Sequence, residues 1–228
     1  IVTGSGNGIG RATAKRLAQE GVNVVVSDVL IEDGENTVKE IKDAGGKAIF
    51  VKADVSLEAD VKNLVDSAVK EFGTLDILIN NAGVGGGQFR THEVSYEDFM
   101  KVITVNIGGT FLCTKYALPH FIAKTDGRIV NIASTYGLIG APKAPAYCAS
   151  KGAIINYTRQ LTVDYAPMGI RTNAICPGYI DTGLGRRNSS AALYPRQEWL
   201  CRVPLRPDGL EPRQHPVRIS GGDGVSDA

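Results

Sequence analysis

Short apolar runs alternate with longer segments of helical period, and this alternation constrains the fold more than any other feature of the chain. Val and Ile dominate the apolar runs, which lie at residues 1–2, 22–27, 48–51, 75–79, 128–132 and 170–175. The segments between them have the apolar spacing of helices and lie near residues 9–20, 32–44, 57–72, 95–123 and 146–167. Strands that alternate with helices are joined by right-handed crossovers and run parallel, with helices on both faces of the sheet. We therefore predict the α/β class, with a single doubly wound parallel sheet.

The charge balance gives no electrostatic argument for binding nucleic acid or a membrane surface. The 228-residue chain carries 25 Lys and Arg against 24 Asp and Glu, a net charge of +1. No apolar run approaches the roughly 18 residues that a membrane span needs, and no secretory leader precedes the first apolar run. The four Cys and three His residues lie scattered, without the spacing of metal ligands. We expect a cytoplasmic protein with reduced thiols and no metal site, nucleic-acid partner or membrane partner.

A glycine-rich turn follows the first apolar run and opens the first predicted helix. It reads Thr-Gly-Ser-Gly-Asn-Gly-Ile-Gly over residues 3–10, with Gly4, Gly8 and Gly10 in the spacing GxxxGxG. Glycines permit positive φ and close backbone approach, and the start of a helix presents free N–H groups to a phosphate. The turn therefore predicts a dinucleotide pyrophosphate site, although a flexible turn alone would have the same composition.

Asp28 ends the second apolar run, 18 residues after Gly10. An acid about 20 residues beyond the glycine motif accepts hydrogen bonds from the adenosine ribose in dinucleotide folds. A carboxylate there repels the 2′-phosphate of NADP, and only Arg11 could offset it. Asp28 therefore favours NAD over NADP, although an Asp at a strand end is also a common turn former.

Small and polar residues follow four further apolar runs. They are Asp54 and Val55 after the third, Asn81, Ala82 and Gly83 after the fourth, Ser134 after the fifth, and Pro177 and Gly178 after the sixth. In open α/β sheets, ligands bind beyond the carboxyl ends of the strands. Together these residues predict the lining of a cofactor cleft.

Tyr147 and Lys151 are four residues apart on a predicted helix, so both side chains project from one face. A free tyrosine has a pKa of roughly 10, and a nearby ammonium favours the phenolate. The pair is thus suited to general acid–base work, although a surface pair with this spacing is common. With Ser134 thirteen residues earlier and the glycine turn upstream, we interpret it as catalytic.

In combination, these motifs resemble those of the short-chain dehydrogenase/reductase family. The likeness covers residue 1 to about residue 185, and its elements occur in this order: Thr3-Gly4-x-x-x-Gly8-x-Gly10, Asn80-Asn81-Ala82-Gly83, Asn106, Ser134, Tyr147-x-x-x-Lys151 and Pro177-Gly178. The resemblance implies an NAD(P)-binding Rossmann fold and an oxidoreductase that acts on CH–OH groups. It also implies a homo-oligomer, either a dimer or a tetramer.

The resemblance further implies a role for each matching residue. Tyr147 would be the general acid/base, Lys151 would lower its pKa and hold the nicotinamide ribose, and Ser134 would hydrogen-bond the substrate oxygen. Asn106 would anchor a water that relays protons from Lys151. Asp54 and Val55 would contact adenine, Gly83 would let the cofactor pass, and Thr182 would reach the carboxamide. The full set expected to contact the cofactor is Gly4, Asn7, Gly8, Ile9, Gly10, Asp28, Asp54, Val55, Asn81, Ala82, Gly83, Tyr147, Lys151, Pro177, Gly178, Ile180 and Thr182.

The pattern is lost towards the end of the chain. We predict a dinucleotide-binding and catalytic domain over residues 1–185, followed by a substrate-loop remnant and an atypical tail over residues 186–228. Four prolines within residues 204–216 forbid a long helix, and residues 217–220 are only a weak candidate for a terminal strand. We therefore expect a truncated or frameshifted C-terminus in which the usual last strand and helix are missing or altered.

Three functions remain open on the sequence. The first is an NAD-dependent dehydrogenase in which Tyr147 takes a proton while hydride passes between a secondary alcohol or its ketone and the nicotinamide. The second is an NADPH-dependent 3-oxoacyl-carrier-protein or carbonyl reductase, against which Asp28 argues. The third is a catalytically impaired dinucleotide-binding protein, which the unusual tail favours.

Overall fold

The computed structural model describes residues 1–182 and the two-residue strand Cys201–Arg202. Its strands are β1 (Val2–Thr3), β2 (Val24–Asp28), β3 (Ala48–Lys52), β4 (Ile77–Asn80), β5 (Gly127–Ile132), β6 (Ile170–Cys176) and β7 (Cys201–Arg202). Its α-helices are α1 (Gly8–Gln19), α2 (Ile31–Asp43), α3 (Glu58–Phe72), α4 (Tyr96–Ile103), α5 (Gly109–Lys124) and α6 (Pro145–Tyr165). Elements of the two kinds therefore alternate along the chain as predicted.

The strands form one sheet in the order β3-β2-β1-β4-β5-β6-β7. Strands β1 to β6 run parallel to their neighbours, and β7 pairs antiparallel with the end of β6. The strand order reverses between β1 and β4, so the segments that leave these two strands diverge and open a crevice. The predicted α/β fold with a doubly wound parallel sheet is confirmed.

Buried side chains cover both faces of the sheet. On one face α3, α5 and α6 contribute large apolar residues, among them Leu64, Phe121 and Leu161, each at most 1% exposed. On the other face α1 and α2 contribute Ala18 and Ile41. Burying a Leu or Phe side chain stabilises a fold by about 1.5–3 kcal/mol, so these contacts fix the helices against the sheet.

The predicted helix over residues 95–123 is in fact interrupted. Helix α4 gives way to a π-helical turn, Thr104–Gly108, before α5 begins at Gly109. A π-turn adds one residue to the helical repeat and changes the direction of the side chains that follow. The buried Asn106 lies within this turn, which explains why a polar residue stands in an otherwise helical apolar pattern.

Several expectations about the end of the chain lie outside the described residues. They are the loss of pattern after residue 185, the effect of the four prolines, the weak strand over residues 217–220, and the truncated or altered C-terminus. The strand Cys201–Arg202 was not predicted. Within the described residues, no helix is both long enough and apolar enough to cross a bilayer.

Candidate active site

The glycine turn between β1 and α1 has the backbone shape that a phosphate cradle needs. Gly4 and Gly8 have φ values of 61° and 55°, which side chains rarely adopt. A Cβ placed on Gly10 would lie 2.2 Å from the Gly4 carbonyl oxygen, so only glycine permits this approach. Asn7 caps α1 and accepts a hydrogen bond from the Gly8 N–H at 2.6 Å. The cradle therefore fits a dinucleotide pyrophosphate at the start of a helix.

The segment after β4 holds the glycine turn in place. The Asn81 side-chain amide donates hydrogen bonds to the carbonyl oxygens of Thr3 and Gly4, both at 2.9 Å. The Thr3 hydroxyl in turn accepts from the backbone N–H groups of Asn81 and Ala82, both at 3.0 Å. The structure thus brings the two predicted motifs together, and it uses the Asn81 side chain to clamp the turn. Sequence reasoning missed this role of Thr3, because its partners lie 78 and 79 residues further along the chain and leave no local signal.

Asp28 lies at the end of β2, directly against the glycine turn. Its carboxylate accepts from the Gly6 N–H at 2.9 Å and from the Leu30 N–H at 3.1 Å. Arg11, the cation that could have offset its charge, forms an ion pair with Glu40. The carboxylate therefore sits where a ribose is expected, with its nearest candidate cation engaged elsewhere.

Asp54 and Val55, expected beside the adenine, have different surroundings. Asp54 is partly exposed and accepts hydrogen bonds from the N–H and the hydroxyl of Ser56 at 2.9 and 2.6 Å. Val55 is 6% exposed and packs on Gly109. A Cβ added to Gly109 would lie 2.5 Å from Val55 Cγ2. Val55 consequently contributes chiefly to the core beneath the cleft.

Ser134, Tyr147 and Lys151 come together beyond the ends of β5 and β6. Ser134 makes a side-chain hydrogen bond with Tyr147. Lys151 is 4% exposed, and its Nζ donates to the Ile132 carbonyl oxygen at 2.7 Å and lies 5.6 Å from the centre of the Tyr147 ring. The predicted one-face arrangement on α6 therefore exists, with the ammonium tied to the end of β5.

Burial dominates the electrostatics of this group. It lowers the pKa of Lys151 from 10.5 to about 8, because a buried ammonium loses its hydration. It also raises the pKa of Tyr147 above 10, and the hydrogen bond with Ser134 opposes that rise. Desolvation of the phenol is the largest cause of this rise, and a lowering of the Tyr147 pKa by Lys151 stays a prediction.

Asn106 is completely buried and hydrogen-bonded on both sides of its amide. Its Oδ1 accepts from the Val84 N–H at 2.8 Å, and its Nδ2 donates to the Val84 carbonyl at 3.0 Å and to the Ser150 hydroxyl at 2.9 Å. A Cβ on Gly83 would lie 3.2 Å from Asn106 Oδ1 and 3.6 Å from Lys151 Nζ. Gly83 therefore leaves open the space above both groups, as a passing cofactor requires. Sequence reasoning did not identify Ser150 as a hydrogen-bond partner of Asn106.

The segment after β6 closes over the glycine turn. The Pro177 carbonyl accepts from the Thr135 N–H at 3.0 Å, which ties this segment to the one that carries Ser134. Thr182 lies against Gly8, with its Cγ2 3.3 Å from the position of a Cβ on that glycine. Ile180 is 44% exposed. These predicted cofactor residues thus lie at the same edge of the sheet as the glycine turn.

The fold, a doubly wound parallel sheet of the Rossmann type, agrees with the comparison with known proteins. The family model for short chain dehydrogenases matches residues 1–192, and the chain belongs to that family. Family members bind nicotinamide cofactors. The predicted family and the predicted oxidoreductase are therefore confirmed.

Three similar proteins illustrate the range of the family. The cis-4-hydroxycyclohexanecarboxylate dehydrogenase of Sinomonas cyclohexanicum is 42% identical over 184 residues, which cover 81% of this chain and 74% of that protein. Glucose 1-dehydrogenase 2 of Bacillus subtilis (strain 168) is 42% identical over 211 residues, which cover 92% of this chain and 81% of the relative. A crystal structure of NAD⁺-bound xylitol dehydrogenase is 42% identical and superposes with a TM-score of 0.76, covering 78% of this chain and 68% of that one.

Proposed function

We propose that this chain transfers hydride between NAD and a secondary alcohol or its ketone, with Tyr147 as the general acid/base. The observation that carries the proposal is the buried Lys151 ammonium beside the hydrogen-bonded Ser134–Tyr147 pair, at the same edge of the sheet as the glycine cradle. The relatives named for alcohol oxidation support the substrate class.

Each polar group of the cluster has a distinct task in this reaction. The Tyr147 hydroxyl gives a proton to the substrate oxygen in reduction and takes it back in oxidation. Ser134 hydrogen-bonds that oxygen and stabilises the charge that develops on it. When bound, the nicotinamide accepts or supplies the hydride.

Lys151 contributes charge and hydrogen-bond donors. With a pKa of about 8, it remains mostly protonated at pH 7. An ammonium has three N–H donors, and among the described residues one of them goes to Ile132. We propose that the others hold the nicotinamide ribose and a water on Asn106, so that protons pass from Tyr147 through Lys151 to solvent. The remaining predicted site residues keep their proposed cofactor contacts.

The preference for NAD over NADP rests on Asp28 and Arg11. The Asp28 carboxylate is held at the cradle by two backbone N–H groups, where a 2′-phosphate would meet its negative charge. Arg11 is paired with Glu40, and so is Lys15, whose Nζ lies 2.7 Å from Glu40 Oε2.

We further expect a homodimer or homotetramer in the cytoplasm, as the family resemblance implies. Large apolar side chains on the outer faces of α5 and α6 support association, since Phe111 and Val163 are 48% and 77% exposed. Light scattering coupled to size exclusion measures the oligomeric state directly.

The test of the proposed function is the absorbance of reduced nicotinamide across a panel of secondary alcohols, with NAD⁺ and NADP⁺ in parallel. We expect turnover with NAD⁺. A clear preference for NADP(H) and acyl substrates would favour the reductase instead. Saturable NAD⁺ binding without any turnover would favour a dinucleotide-binding protein that is catalytically impaired.

Removing the negative charge of Asp28 tests the cofactor preference. Asp28→Asn keeps the size of the side chain, and we expect the ratio of kcat/KM for NAD⁺ to that for NADP⁺ to fall about tenfold or more, as one lost charge–phosphate repulsion of about 1.4 kcal/mol implies. Asp43→Asn at the exposed end of α2 removes the same charge far from the cradle and serves as the control. An unchanged ratio in Asp28→Asn would refute the role of this carboxylate.

A further inference from the structure

Thr37 lies on α2 and is completely buried. Its hydroxyl is within hydrogen-bond distance of two carbonyl oxygens, that of Asp33 at 3.0 Å and that of Gly6 at 3.2 Å. A threonine in a helix often donates to the carbonyl four residues before it, which accounts for the bond to Asp33. The bond to Gly6 is different, because it joins α2 to the glycine turn.

The Gly6 carbonyl accepts a hydrogen bond from Thr37 and from no other described residue. The Gly6 N–H belongs to the preceding peptide and donates to Asp28 Oδ2 at 2.9 Å. The side chain of Asn7 caps α1 by accepting from the Gly8 N–H. Neither of these bonds fixes the peptide plane between Gly6 and Asn7, and a glycine lets that plane turn at little cost.

The bond to Thr37 therefore decides which way this peptide faces. The described chain has no cis peptide bond, so the Asn7 N–H points opposite to the Gly6 carbonyl. Because that carbonyl is turned inwards to Thr37, the N–H is turned outwards at the start of α1, where Asn7 is exposed. No described residue accepts a hydrogen bond from this N–H. It is consequently available to a ligand in the cradle.

We propose that Thr37 is a positioning residue of the cofactor site, which keeps the Asn7 N–H directed at an oxygen of the adenosine half of NAD. Asp28, where the adenosine ribose is expected, is bonded to the Gly6 N–H one residue earlier and so places that half of the cofactor here. The proposal rests on the proposed function, because it takes the cradle to hold NAD. Thr37 acts through the peptide between Gly6 and Asn7.

Loss of the Thr37 hydroxyl would leave the Gly6 carbonyl buried without a donor, which costs free energy. Turning the peptide outwards gives that carbonyl to water, and the same movement takes the Asn7 N–H away from the cofactor. Thr37→Val keeps the shape of the side chain and removes the hydroxyl, so it should weaken the binding of NAD. Thr37→Ser keeps the hydroxyl and should restore it.

Thr162 on α6 provides a matched control. Its hydroxyl lies 3.0 Å from the carbonyl oxygen of Thr158, four residues earlier, and 3.3 Å from that of Thr172 on β6. Thr162→Val therefore removes the same pair of contacts, one within the helix and one to a neighbouring element, far from the glycine turn. Both acceptors are main-chain carbonyls, so the side-chain hydrogen bond between Asn131 and Thr158 stays intact.

The experiment measures the Kd of NAD⁺ and of ADP by calorimetric titration of the full-length wild type, Thr37→Val, Thr37→Ser and Thr162→Val. ADP carries the adenosine half without the nicotinamide, and the titration needs no turnover. We expect Thr37→Val to raise both Kd values about tenfold, or about 1.4 kcal/mol, which is the size of one hydrogen bond. Thr37→Ser and Thr162→Val should bind both ligands within about twofold of the wild type.

Steady-state kinetics adds a second measurement. Thr37→Val should raise KM for NAD⁺ about tenfold and keep kcat within about twofold of the wild type, because the change lies in binding and leaves the Ser134, Tyr147 and Lys151 group untouched. A fall in kcat as large as the rise in KM would indicate a general loosening of the fold and would overturn the proposal.

The outcomes separate this proposal from the proposed function. Unchanged Kd values in Thr37→Val, an equal loss in Thr162→Val, or a loss for NAD⁺ without one for ADP would overturn the role of Thr37 and leave the proposed function standing. A wild type that binds NAD⁺ without turnover refutes the proposed hydride transfer, and the Kd values still decide the role of Thr37. A wild type that binds neither ligand overturns both. Should Thr37→Val not fold, Thr37→Cys keeps only a weak donor and must raise both Kd values in the same direction.

Discussion

At the scale of single residues, the buried ammonium of Lys151 lowers the stability of the folded protein. The residue is 4% exposed, and its ammonium has one described protein acceptor, the Ile132 carbonyl. Burial lowers its pKa from 10.5 to about 8, so the folded protein holds this proton less tightly than the unfolded chain does. The unfolded chain thus binds more protons between pH 8 and pH 10.5. The destabilisation is full below pH 8 and fades as the pH rises towards 10.5.

Lys151→Met should therefore give a more stable but inactive protein. At pH 7 we expect its free energy of unfolding to exceed that of the wild type by about 2 kcal/mol, the penalty of about 3 kcal/mol less about 1 kcal/mol for the lost hydrogen bond. Denaturant unfolding at several pH values measures the difference, which should shrink towards pH 10.5. A variant that is less stable at pH 7, with a difference independent of pH, would contradict the pKa shift.

The residue scale also shows what sequence could predict in the site. The i, i+4 spacing was enough to place Tyr147 and Lys151 on one face of α6. The pKa of Tyr147 is raised by burial, whereas the sequence pointed only to a lowering by Lys151, because desolvation depends on what the rest of the chain packs around the phenol. Ser150 and Thr3 were missed for the same reason, since their partners lie 44 and 78 residues away.

At the scale of elements, the approach of a short 3₁₀ turn to α6 sets the geometry of the catalytic group. This turn, Thr135–Gly137, follows directly after Ser134. A Cβ on Gly137 would lie 2.6 Å from both the carbonyl carbon and the carbonyl oxygen of Lys151. Only a glycine therefore lets the turn lie against the helix at the level where Ser134 meets Tyr147.

Gly137→Ala should push the turn away from α6 and separate Ser134 from Tyr147. Because a misplacement of about 1 Å can cost about 10²-fold, we expect kcat to fall by a factor of roughly 10 to 100. Gly140→Ala, in the same segment but with no atom within 4 Å of the new Cβ, is the control and should keep wild-type kcat. Equal activity of the two variants would show that the contact does not position Ser134.

The boundaries of the helices were predicted less well from apolar periodicity than their existence. Apolar periodicity predicted one helix over residues 95–123, whereas the structure has α4, a π-turn and α5. A π-turn shifts the apolar pattern by a single residue, and both sides of the shift still have helical spacing, so periodicity alone does not reveal it. The hydrogen bonds of Asn106 to Val84 and Ser150 are the tertiary contacts that accompany it.

At the scale of the whole molecule, a buried polar network joins the sheet to the helices on one of its faces. Asn80 on β4 donates to Asn131 on β5 at 2.8 Å and to Thr114 on α5 at 3.1 Å. Asn131 donates in turn to Thr158 on α6. The network lies beneath the crevice and ties together four of the elements that position the site.

Asn131→Ala should destabilise the whole molecule, because it leaves buried donors and acceptors of Asn80 and Thr158 unpaired. We expect a loss of about 2–3 kcal/mol in the free energy of unfolding, measured by denaturant titration. Asn63→Ala on the exposed face of α3 is the control and should change stability by less than about 0.5 kcal/mol. A loss no larger than that of the control would mean that the network is not needed for stability.

The architecture was predictable because it follows from the alternation of strands and helices and from the handedness of their connections. The crevice was predictable as well, since Gly4, Asn81 and Ser134 all follow strands whose ends share one edge of the sheet. The pairing of Cys201–Arg202 with β6 was not predictable, because a strand of two residues is too short to show an alternation of apolar and polar residues.

The most direct test of the proposed function measures Tyr147→Phe against the wild type in the oxidation of its best secondary alcohol. Removing only the phenolic oxygen should lower kcat/KM by about 10²- to 10⁴-fold, as expected for loss of a general acid/base, while the Kd for NAD⁺ stays within about threefold. A Tyr147→Phe enzyme that keeps wild-type kcat/KM would contradict the proposed chemistry of this site.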